Sequence, residues 1–183
     1  GGGFGVVYDD EKELHLKELS FLISSIFKNT AYDISFEPGR YLVANAGVVI
    51  TKILTTKRNE SVNYLITDAG MQTLLRPAIY NAFHNIIALT NIGSDKIEYT
   101  VAGPICESSD ILAKKILLSQ QQAGNYLAIC DTGAYGAVMS SNYNTKGLPA
   151  EILVSNDSFS IIRNHEKVSN IIARDIIPVW LKD

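Results

Sequence analysis

The chain has 183 residues, of which 46% are hydrophobic and 19% are charged, and its formal net charge is −3. A chain of this length can bury a sizeable core, but a complete (β/α)8 barrel needs about 250 residues and is excluded. The mild, evenly spread acidity also excludes the basic surface that binds nucleic acid or an anionic membrane.

The two cysteines, Cys106 and Cys130, are too few for a disulfide framework, and no metal-type spacing surrounds either of them. No apolar run reaches the ~20 residues of a membrane span, and the opening residues do not follow a signal-peptide pattern. We therefore expect a soluble, cytoplasmic protein without a metal site.

The chain opens with Gly-Gly-Gly-Phe-Gly over residues 1–5. A glycine-rich loop binds phosphate when a strand delivers it and a helix follows, because backbone N–H groups then converge on the anion. Here a helix follows but no strand precedes. Two interpretations stay open on composition: a flexible tail or cloning scar, or a functional loop separated from its upstream half.

Residues 11–28 form a predicted amphipathic helix, since apolar residues recur at helical spacing after a charged start. A short strand is predicted over residues 33–36. The Glu-Pro-Gly-Arg sequence that follows predicts a turn, which places Glu37 and Arg40 at the end of that strand.

The rest of the chain reads as short β-branched or aromatic runs separated by turn-rich segments, which is typical of a β-sandwich or barrel. The predicted strands are 48–56, 62–67, 86–89, 97–101, 126–130, 152–154 and 158–163. Helical interruptions are predicted near residues 71–83 and 134–141. We therefore predict a mainly β fold, with a boundary near residue 41 that separates residues 1–40 from a β-domain over residues 41–183.

Three segments place chemically versatile side chains together, and the first is Arg-Pro-Ala-Ile-Tyr over residues 76–80. If this segment is helical, Arg76 and Tyr80 share one face and can hold one carboxylate together. Pro77 fits the first turn of such a helix. The alternative is a surface arginine beside a half-buried tyrosine, which the general preferences of these residues favour.

The second segment, residues 103–110, places Cys106 and Glu107 side by side after a Gly-Pro turn. A thiol held this way can exchange a proton, and a glutamate can bind an ammonium group. The alternative is a small buried cysteine followed by a helix N-cap, because the residues before Ile111 are good cap residues.

The third segment is Asp-Thr-Gly-Ala-Tyr-Gly-Ala over residues 131–137. Gly133 and Gly136 let the backbone approach a ligand closely, and Tyr135 stands between them. A tyrosine that stacks on a ligand or touches a phosphate and an ordinary turn tyrosine are equally consistent with this pattern.

Taken in chain order, the glycine loop and residues 37–40, 68–80, 103–110 and 133–144 resemble the meso-diaminopimelate decarboxylase family. This family lies within the alanine-racemase-like and ornithine-decarboxylase-like group of pyridoxal-phosphate enzymes. The longest matches are Gly-Pro-Ile-Cys-Glu-Ser-Ser-Asp and Gly-Ala-Tyr-Gly-Ala-Val-Met-Ser-Ser-Asn-Tyr-Asn. The resemblance covers essentially the whole chain but only the C-terminal part of the family's chain.

The fold implied by this resemblance is that of a fold-type III pyridoxal-phosphate decarboxylase. Residues 1–40 would be the last α/β piece of a truncated TIM barrel, and residues 41–183 the C-terminal β-sandwich or barrel domain. The resemblance further implies that the family's Schiff-base lysine lies upstream of this chain. We therefore expect the isolated chain to be inactive.

The resemblance also implies roles for individual residues in binding pyridoxal 5'-phosphate. Gly3 would lie closest to the phosphate, and Glu37 would pair with the pyridine nitrogen, which keeps the ring an electron sink. The implied cofactor-binding residues are Gly3, Glu37, Pro38, Gly39, Arg40 and Tyr135.

For the substrate, the resemblance implies that Cys106 is the general acid that returns a proton to Cα. Glu107 would pair with the distal ammonium group. The implied substrate-binding residues are Arg40, Arg76, Tyr80, Glu107 and Tyr135. Ornithine decarboxylases typically carry Asp after the matching cysteine, so glutamate at this position favours diaminopimelate, with its far carboxylate and amine.

Family members are homodimers with a shared active site, and the resemblance implies that the Cys-Glu segment reaches into the barrel of the partner. Two other readings stay open: a related decarboxylase of the ornithine or arginine type, and a non-catalytic dimerising module. Against the second, Arg40, Cys106, Glu107 and Tyr135 are all intact.

Overall fold

The computed structural model describes residues 2–90 and 92–181, without the side chains of Ile92 and Ser94. Gly1 of the predicted loop and the last two residues of the predicted β-domain lie outside the described residues. No helix in the described ranges is both long enough and apolar enough to cross a membrane.

The N-terminal segment contains α1 (Leu16–Phe27) and α2 (Arg40–Val43), followed by a 3-10 helix at Ala44–Ala46. The helix predicted over residues 11–28 therefore begins later than expected. The reason is local: the Glu11 carboxylate accepts hydrogen bonds from the backbone N–H groups of Tyr8 (2.7 Å) and Asp9 (3.1 Å), which holds a turn in front of the helix.

The strand predicted over residues 33–36 is wrong, since residues 31–39 have no regular structure. A strand needs a hydrogen-bonded neighbour, and none of the described strands pairs with this segment. The predicted turn leads directly into α2, whose first residue is Arg40.

Eight strands and two further short helices make up the rest of the described chain. They are β1 (Val49–Asn59), β2 (Val62–Thr67), α3 (Arg76–Tyr80), β3 (Ile86–Ala88), β4 (Ile92–Ala102), β5 (Ile111–Gln120), β6 (Tyr126–Ile129), β7 (Glu151–Ser155), β8 (Ser158–Arg163) and α4 (Val168–Ile172). Further 3-10 turns occur at Ala137–Met139, Tyr143–Thr145 and Val179–Leu181. The seven predicted strands in the β-domain all have a counterpart here, with shifted ends.

Strands β1 to β6 form one sheet in the order β3-β6-β1-β2-β4-β5, in which only β2 and β4 pair in parallel. The two edge strands, β3 and β5, also contact each other, so the sheet curls into a nearly closed barrel. Strands β7 and β8 form a separate antiparallel hairpin. The mainly β fold predicted from the sequence is confirmed.

One strand escaped prediction, and the helix N-cap considered before Ile111 is wrong because β5 begins at that residue. Leu112 and Leu118 of β5 face the core, as a strand requires. Between them the pairing with β4 shifts register, and Lys115 has a φ of 55°. This bulge breaks the period-two alternation that identifies strands in a sequence.

The core lies inside the curled sheet and is made of aliphatic side chains from most of its strands. Ile53, Leu65, Val101 and Leu127 have 0% exposure, and Leu74, just before α3, joins them. Each such side chain contributes about 1.5–3 kcal/mol of transfer free energy. The sheet is therefore a rigid support for the loops that leave it.

Candidate active site

The glycine loop lies against the turn that carries Glu37 and Arg40. The Phe4 ring contacts the rings of Phe36 (centroids 5.6 Å apart) and Tyr41 (5.8 Å), the residues that flank this turn. Gly3 has a φ of +65°, and apart from its chain neighbours no heavy atom of the described residues lies within 4 Å of where a Cβ would stand. The loop therefore presents open backbone beside the Glu37–Arg40 turn.

Tyr8 joins the two arginines that the sequence singled out. The guanidinium carbons of Arg40 and Arg76 each lie 5.7 Å from the centre of its ring, and Arg76 donates a hydrogen bond from Nη1 to the Tyr8 hydroxyl (3.0 Å). Sequence reasoning missed Tyr8, because it lies in an irregular stretch without a motif of its own. The only available signal was an aromatic residue just after the glycine loop.

Arg76 is buried, with 8% exposure, at the start of α3. Among the described residues no carboxylate forms a salt bridge with it, and its recorded partners are the Tyr8 hydroxyl and the rings of Tyr8 and Tyr135. No guanidinium nitrogen of Arg76 is both fully buried and without a hydrogen-bond partner, so the N–H groups that do not bond to Tyr8 reach accessible space. A buried cation normally has a counterion, and no carboxylate of the described residues is recorded as one for Arg76.

The alternative of a surface arginine beside a half-buried tyrosine is wrong, because Arg76 is the buried member and Tyr80 is 65% exposed. The predicted helix is confirmed but is only five residues long, with Pro77 in its first turn. That Arg76 and Tyr80 hold one carboxylate together stays a prediction.

Tyr135 stands on the other side of Arg76, with its ring centre 5.9 Å from the guanidinium carbon. Its backbone has a φ of 59°, which is rare and strained for an aromatic residue. Gly133 makes this turn possible, because a Cβ there would collide with the Val43 carbonyl oxygen. Its N–H donates to the Ala44 carbonyl (2.9 Å), which ties the turn to the end of α2.

His84 lies beneath Tyr8, with the two ring centres 5.5 Å apart, and is only 2% exposed. Its Nδ1 donates to the Cys130 carbonyl (3.0 Å), while Nε2 is buried and has no hydrogen-bond partner among the described residues. Burial lowers the pKa of His84, and the nearby Arg76 charge lowers it further. The imidazole is therefore a neutral support for the Tyr8 ring.

Asp110 fixes the loop that carries Cys106 and Glu107. Its carboxylate accepts hydrogen bonds from the backbone N–H groups of Met71 (2.6 Å) and Ile105 (2.8 Å). Burial raises the pKa of Asp110, an effect that these two hydrogen bonds oppose. Asp110 thus joins two loops of the sheet and does not cap a helix.

Cys106 and Glu107 are both exposed, so the alternative of a small buried cysteine is wrong. The Asn144 side-chain amide donates to the Cys106 sulfur (3.5 Å), and the Ser108 hydroxyl donates to Glu107 (3.5 Å). The residues joined through Tyr8 and Arg76 form one cluster, here called the Arg76 cluster: Tyr8, Arg40, Arg76, His84 and Tyr135. In the part of the chain that the structure describes, no recorded contact joins Cys106 or Glu107 to it. Within this chain the site residues therefore fall into two groups. The first is the Arg76 cluster with the neighbouring glycine loop and Glu37 turn, and the second is the loop of Cys106 and Glu107.

The residues of the first group fit the pyridoxal phosphate that the resemblance implies. The cofactor needs an anion cradle, an acid for its pyridine nitrogen and room for its ring. The backbone at Gly3 is open and fits the anion cradle. Glu37 is exposed and supplies an acid, and the half-exposed Tyr135 ring is available to border the cofactor ring. The ring contacts of Phe4 and Arg76 place them in adjoining segments.

Sequence comparison agrees with this chemistry. The family model for the C-terminal sheet domain of pyridoxal-dependent decarboxylases matches residues 6–133. The chain therefore belongs to this family of decarboxylases, and the resemblance found in its motifs is confirmed.

The chain is similar to diaminopimelate decarboxylases in particular. The Haemophilus influenzae protein of that name is 43% identical over 173 residues, which are 93% of this chain and 41% of the relative. A crystal structure of diaminopimelate decarboxylase from M. jannaschii in co-complex with L-lysine superposes with a TM-score of 0.91 at 35% identity, over 98% of this chain and 43% of that one.

A lysine/ornithine decarboxylase from Vibrio vulnificus complexed with cadaverine superposes with a TM-score of 0.70 at 22% identity, over 79% of this chain and 39% of that one. At that identity the likeness shows a shared fold alone. This chain spans about two fifths of the length of the curated relatives it matches and corresponds to their C-terminal part.

Proposed function

We propose that this chain is the C-terminal portion of an enzyme that decarboxylates meso-2,6-diaminopimelate to L-lysine and CO2 with pyridoxal phosphate. The observation that supports this most directly is Arg76, which is buried against two tyrosines and has no carboxylate partner in the described chain. A site built this way recognises an anionic group of a small ligand. Similarity to a diaminopimelate decarboxylase at 43% identity supports a dicarboxylate as that ligand.

In this proposal, Arg76 and Arg40 bind the distal carboxylate of the substrate, and Tyr80 adds its hydroxyl. Tyr8 keeps both guanidinium groups in place, because its ring lies against them and its hydroxyl takes one N–H of Arg76. Glu107 binds the distal ammonium group, so a substrate that lacks the far carboxylate leaves the arginines unpaired and binds less well.

Pyridoxal phosphate, when bound, supplies the sink for the electron pair left as CO2 departs. The residues that would hold it are Gly3 at the phosphate, Glu37 at the pyridine nitrogen, and Pro38, Gly39, Arg40 and Tyr135 around the ring. The Sγ–H group of Cys106 supplies the proton that replaces the carboxylate at Cα.

The exposure of Cys106 and Glu107 supports a shared active site, in which this loop faces the partner subunit of a homodimer. The proposal places the enzyme in the cytoplasm, with an amino acid as its small-molecule partner and no role for nucleic acid or a membrane. Because the family's cofactor lysine lies outside this chain, we expect the chain alone to release no CO2.

The test combines this chain with the barrel portion of a diaminopimelate decarboxylase and measures L-lysine formation with pyridoxal phosphate present. We expect the combination to be active on meso-2,6-diaminopimelate and inactive on ornithine. Arg76→Met should lower kcat/KM about 10- to 150-fold, because it removes a charged hydrogen bond to the substrate. Arg58→Met, at an exposed arginine of β1, is the matched control and should stay at the wild-type rate.

Faster turnover of ornithine would replace the substrate proposal with the related decarboxylase. A combination that binds the cofactor but releases no CO2 from either substrate would favour the non-catalytic module. CO2 release by this chain alone, together with a lysine-dependent cofactor absorbance band, would contradict the expected division of the active site.

A further inference from the structure

The contact between Asn144 and Cys106 is the only recorded side-chain hydrogen bond to that sulfur within residues 2–90 and 92–181. The Nδ2 group of Asn144 donates to Sγ over 3.5 Å. The two residues are 38 positions apart, and both are exposed. Since Cys106 is exposed, this hydrogen bond is the recorded contact that can favour one position of its sulfur.

The turn that presents Asn144 is strained. Asn144 has a φ of 54° and Thr145 a φ of 57°, so two successive residues occupy the left-handed region. Asparagine tolerates this region, but a β-branched threonine is a clear outlier there. Such a conformation persists only where surrounding contacts enforce it.

Those contacts come from Asn142, at the start of the turn. Its side-chain amide donates to the Lys146 carbonyl (3.0 Å) and to the Glu166 carboxylate (2.6 Å), and its Oδ1 accepts from Arg174 (3.2 Å). The hydrogen bond from Asn142, with one from Leu148, lowers the pKa of Glu166 and keeps the acceptor charged. Hydrogen bonds on both sides of the turn therefore hold the Asn144 amide at the sulfur.

We propose that Asn144 is a positioning residue for Cys106. Its N–H group occupies a lone pair of the sulfur and directs the S–H hydrogen away from the turn, toward the substrate. When the S–H bond breaks and the proton forms the new C–H bond at Cα, the electron pair stays on sulfur, and the amide stabilises the resulting thiolate. This inference rests on the proposed role of Cys106 as proton donor.

A simpler explanation assigns Asn144 to the turn alone, because asparagine accepts a positive φ better than most residues. The two explanations differ for Asn144→Gly. Glycine adopts the same backbone without strain, so a purely structural role would be fully preserved. Only the hydrogen bond to sulfur would be lost.

The experiment measures iodoacetamide labelling of Cys106 in the full chain, without cofactor or substrate, by peptide mass spectrometry. Cys130 is the internal reference, because it is partly buried and burial raises its pKa, so it labels slowly in the folded chain. The thiolate is the reactive form. At about pH 7 we expect Asn144→Gly to slow Cys106 labelling about three- to ten-fold, the range of one hydrogen bond.

Three further measurements complete the test. Asn144→Asp should slow labelling more than glycine does, because its carboxylate repels the thiolate. The difference between wild type and Asn144→Gly should shrink at about pH 10, because free cysteine is mostly thiolate there and a hydrogen bond can add little to that fraction. Thr145→Gly relieves the neighbouring strain without touching the sulfur and should label at the wild-type rate.

The inference is overturned if Asn144→Gly labels within about twofold of wild type at pH 7, or if its deficit is equal at both pH values. Unchanged Cys130 labelling shows that each variant is folded. Because labelling needs neither cofactor nor substrate, failure of the assembled enzyme to decarboxylate would refute the proposed function without altering this result.

Discussion

The six-stranded sheet and the segments on either side of it bury their apolar residues to very different extents. In the sheet, Ile53, Leu65 and Leu127 have 0% exposure. Helix α1 has no buried residue at all, and Phe21 on its surface is 77% exposed. Every residue of β8 is exposed as well.

The sheet is stabilised by contacts within the chain, whereas the segments on either side of it leave apolar side chains available to another surface. The sheet has its own core, so its stability arises from contacts within the chain. The segments on either side of the sheet expose many large apolar side chains, Phe21 and Phe159 among them, and exposed apolar residues that are grouped together often mark interaction surfaces. The Arg76 cluster lies where the two meet, since Tyr8 comes from the N-terminal flank and Arg76 from the sheet side.

The largest expected effect is in the sheet core. Ile53→Ala should lower the free energy of unfolding by about 2–5 kcal/mol, because it removes a fully buried side chain and leaves a cavity. Leu54→Ala, at the next position of β1 but 50% exposed, is the matched control and should cost less than about 1 kcal/mol. Urea unfolding of the full chain followed by circular dichroism measures both.

The flank supplies the opposite case. Phe21→Ala in α1 should change the unfolding free energy by less than about 0.5 kcal/mol in the isolated chain. If Phe21→Ala destabilised the chain as much as Ile53→Ala, the contrast between sheet and flank would be wrong.

An effect smaller than that of Ile53→Ala is expected at the junction that supports Tyr135. Gly133→Ala places a Cβ against the Val43 carbonyl and within 2.9 Å of the Gly47 nitrogen. Overpacking of this kind costs about 1–3 kcal/mol. Gly5→Ala in the flank, where no atom lies within 4 Å, is the control and should change stability little. Equal midpoints of urea unfolding for the two variants would show that this junction is loosely packed.

Most of the sheet could be predicted from the sequence because its strands follow local rules. The six residues of β2 are an apolar and β-branched run between turn residues, and the structure reproduces those bounds. Strand β5 could not be found this way, because the bulge at Lys115 breaks its alternation. The strand expected over residues 33–36 failed for the opposite reason, since a local pattern without a paired neighbour forms no ladder.

The candidate site was predictable only where a motif carried it. The Arg76 segment and the Cys106 loop have distinctive sequence motifs. The resemblance to diaminopimelate decarboxylases gave them roles that remain predictions. Tyr8 lies outside every motif and contacts Arg76, which is 68 positions away. Asn144 ends the longest motif match, but its contact with Cys106 spans 38 positions. Such pairs depend on how the loops pack, and no spacing within one segment reveals them.

The subtlest expected effect concerns pH at the same junction. Burial holds the pKa of His84 below its ordinary value of about 6.5 in the folded chain. Above that pH both the folded and the unfolded chain are neutral at this residue. As the pH falls below it, the unfolded chain binds a proton that the folded chain does not, so stability decreases, by at most about 1.4 kcal/mol per pH unit.

His84→Asn isolates this contribution, since an amide can donate to the Cys130 carbonyl, as Nδ1 does, but does not titrate. Its unfolding free energy should change less than that of the wild type between about pH 7.5 and 5.5, whatever its stability at pH 7.5. His15→Gln, at an exposed histidine in the flank, should retain the wild-type slope. If the His84→Asn slope equals that of the wild type, folding does not hinder protonation of the imidazole beneath Tyr8, and below about pH 6.5 the Arg76 cluster then contains a third cation.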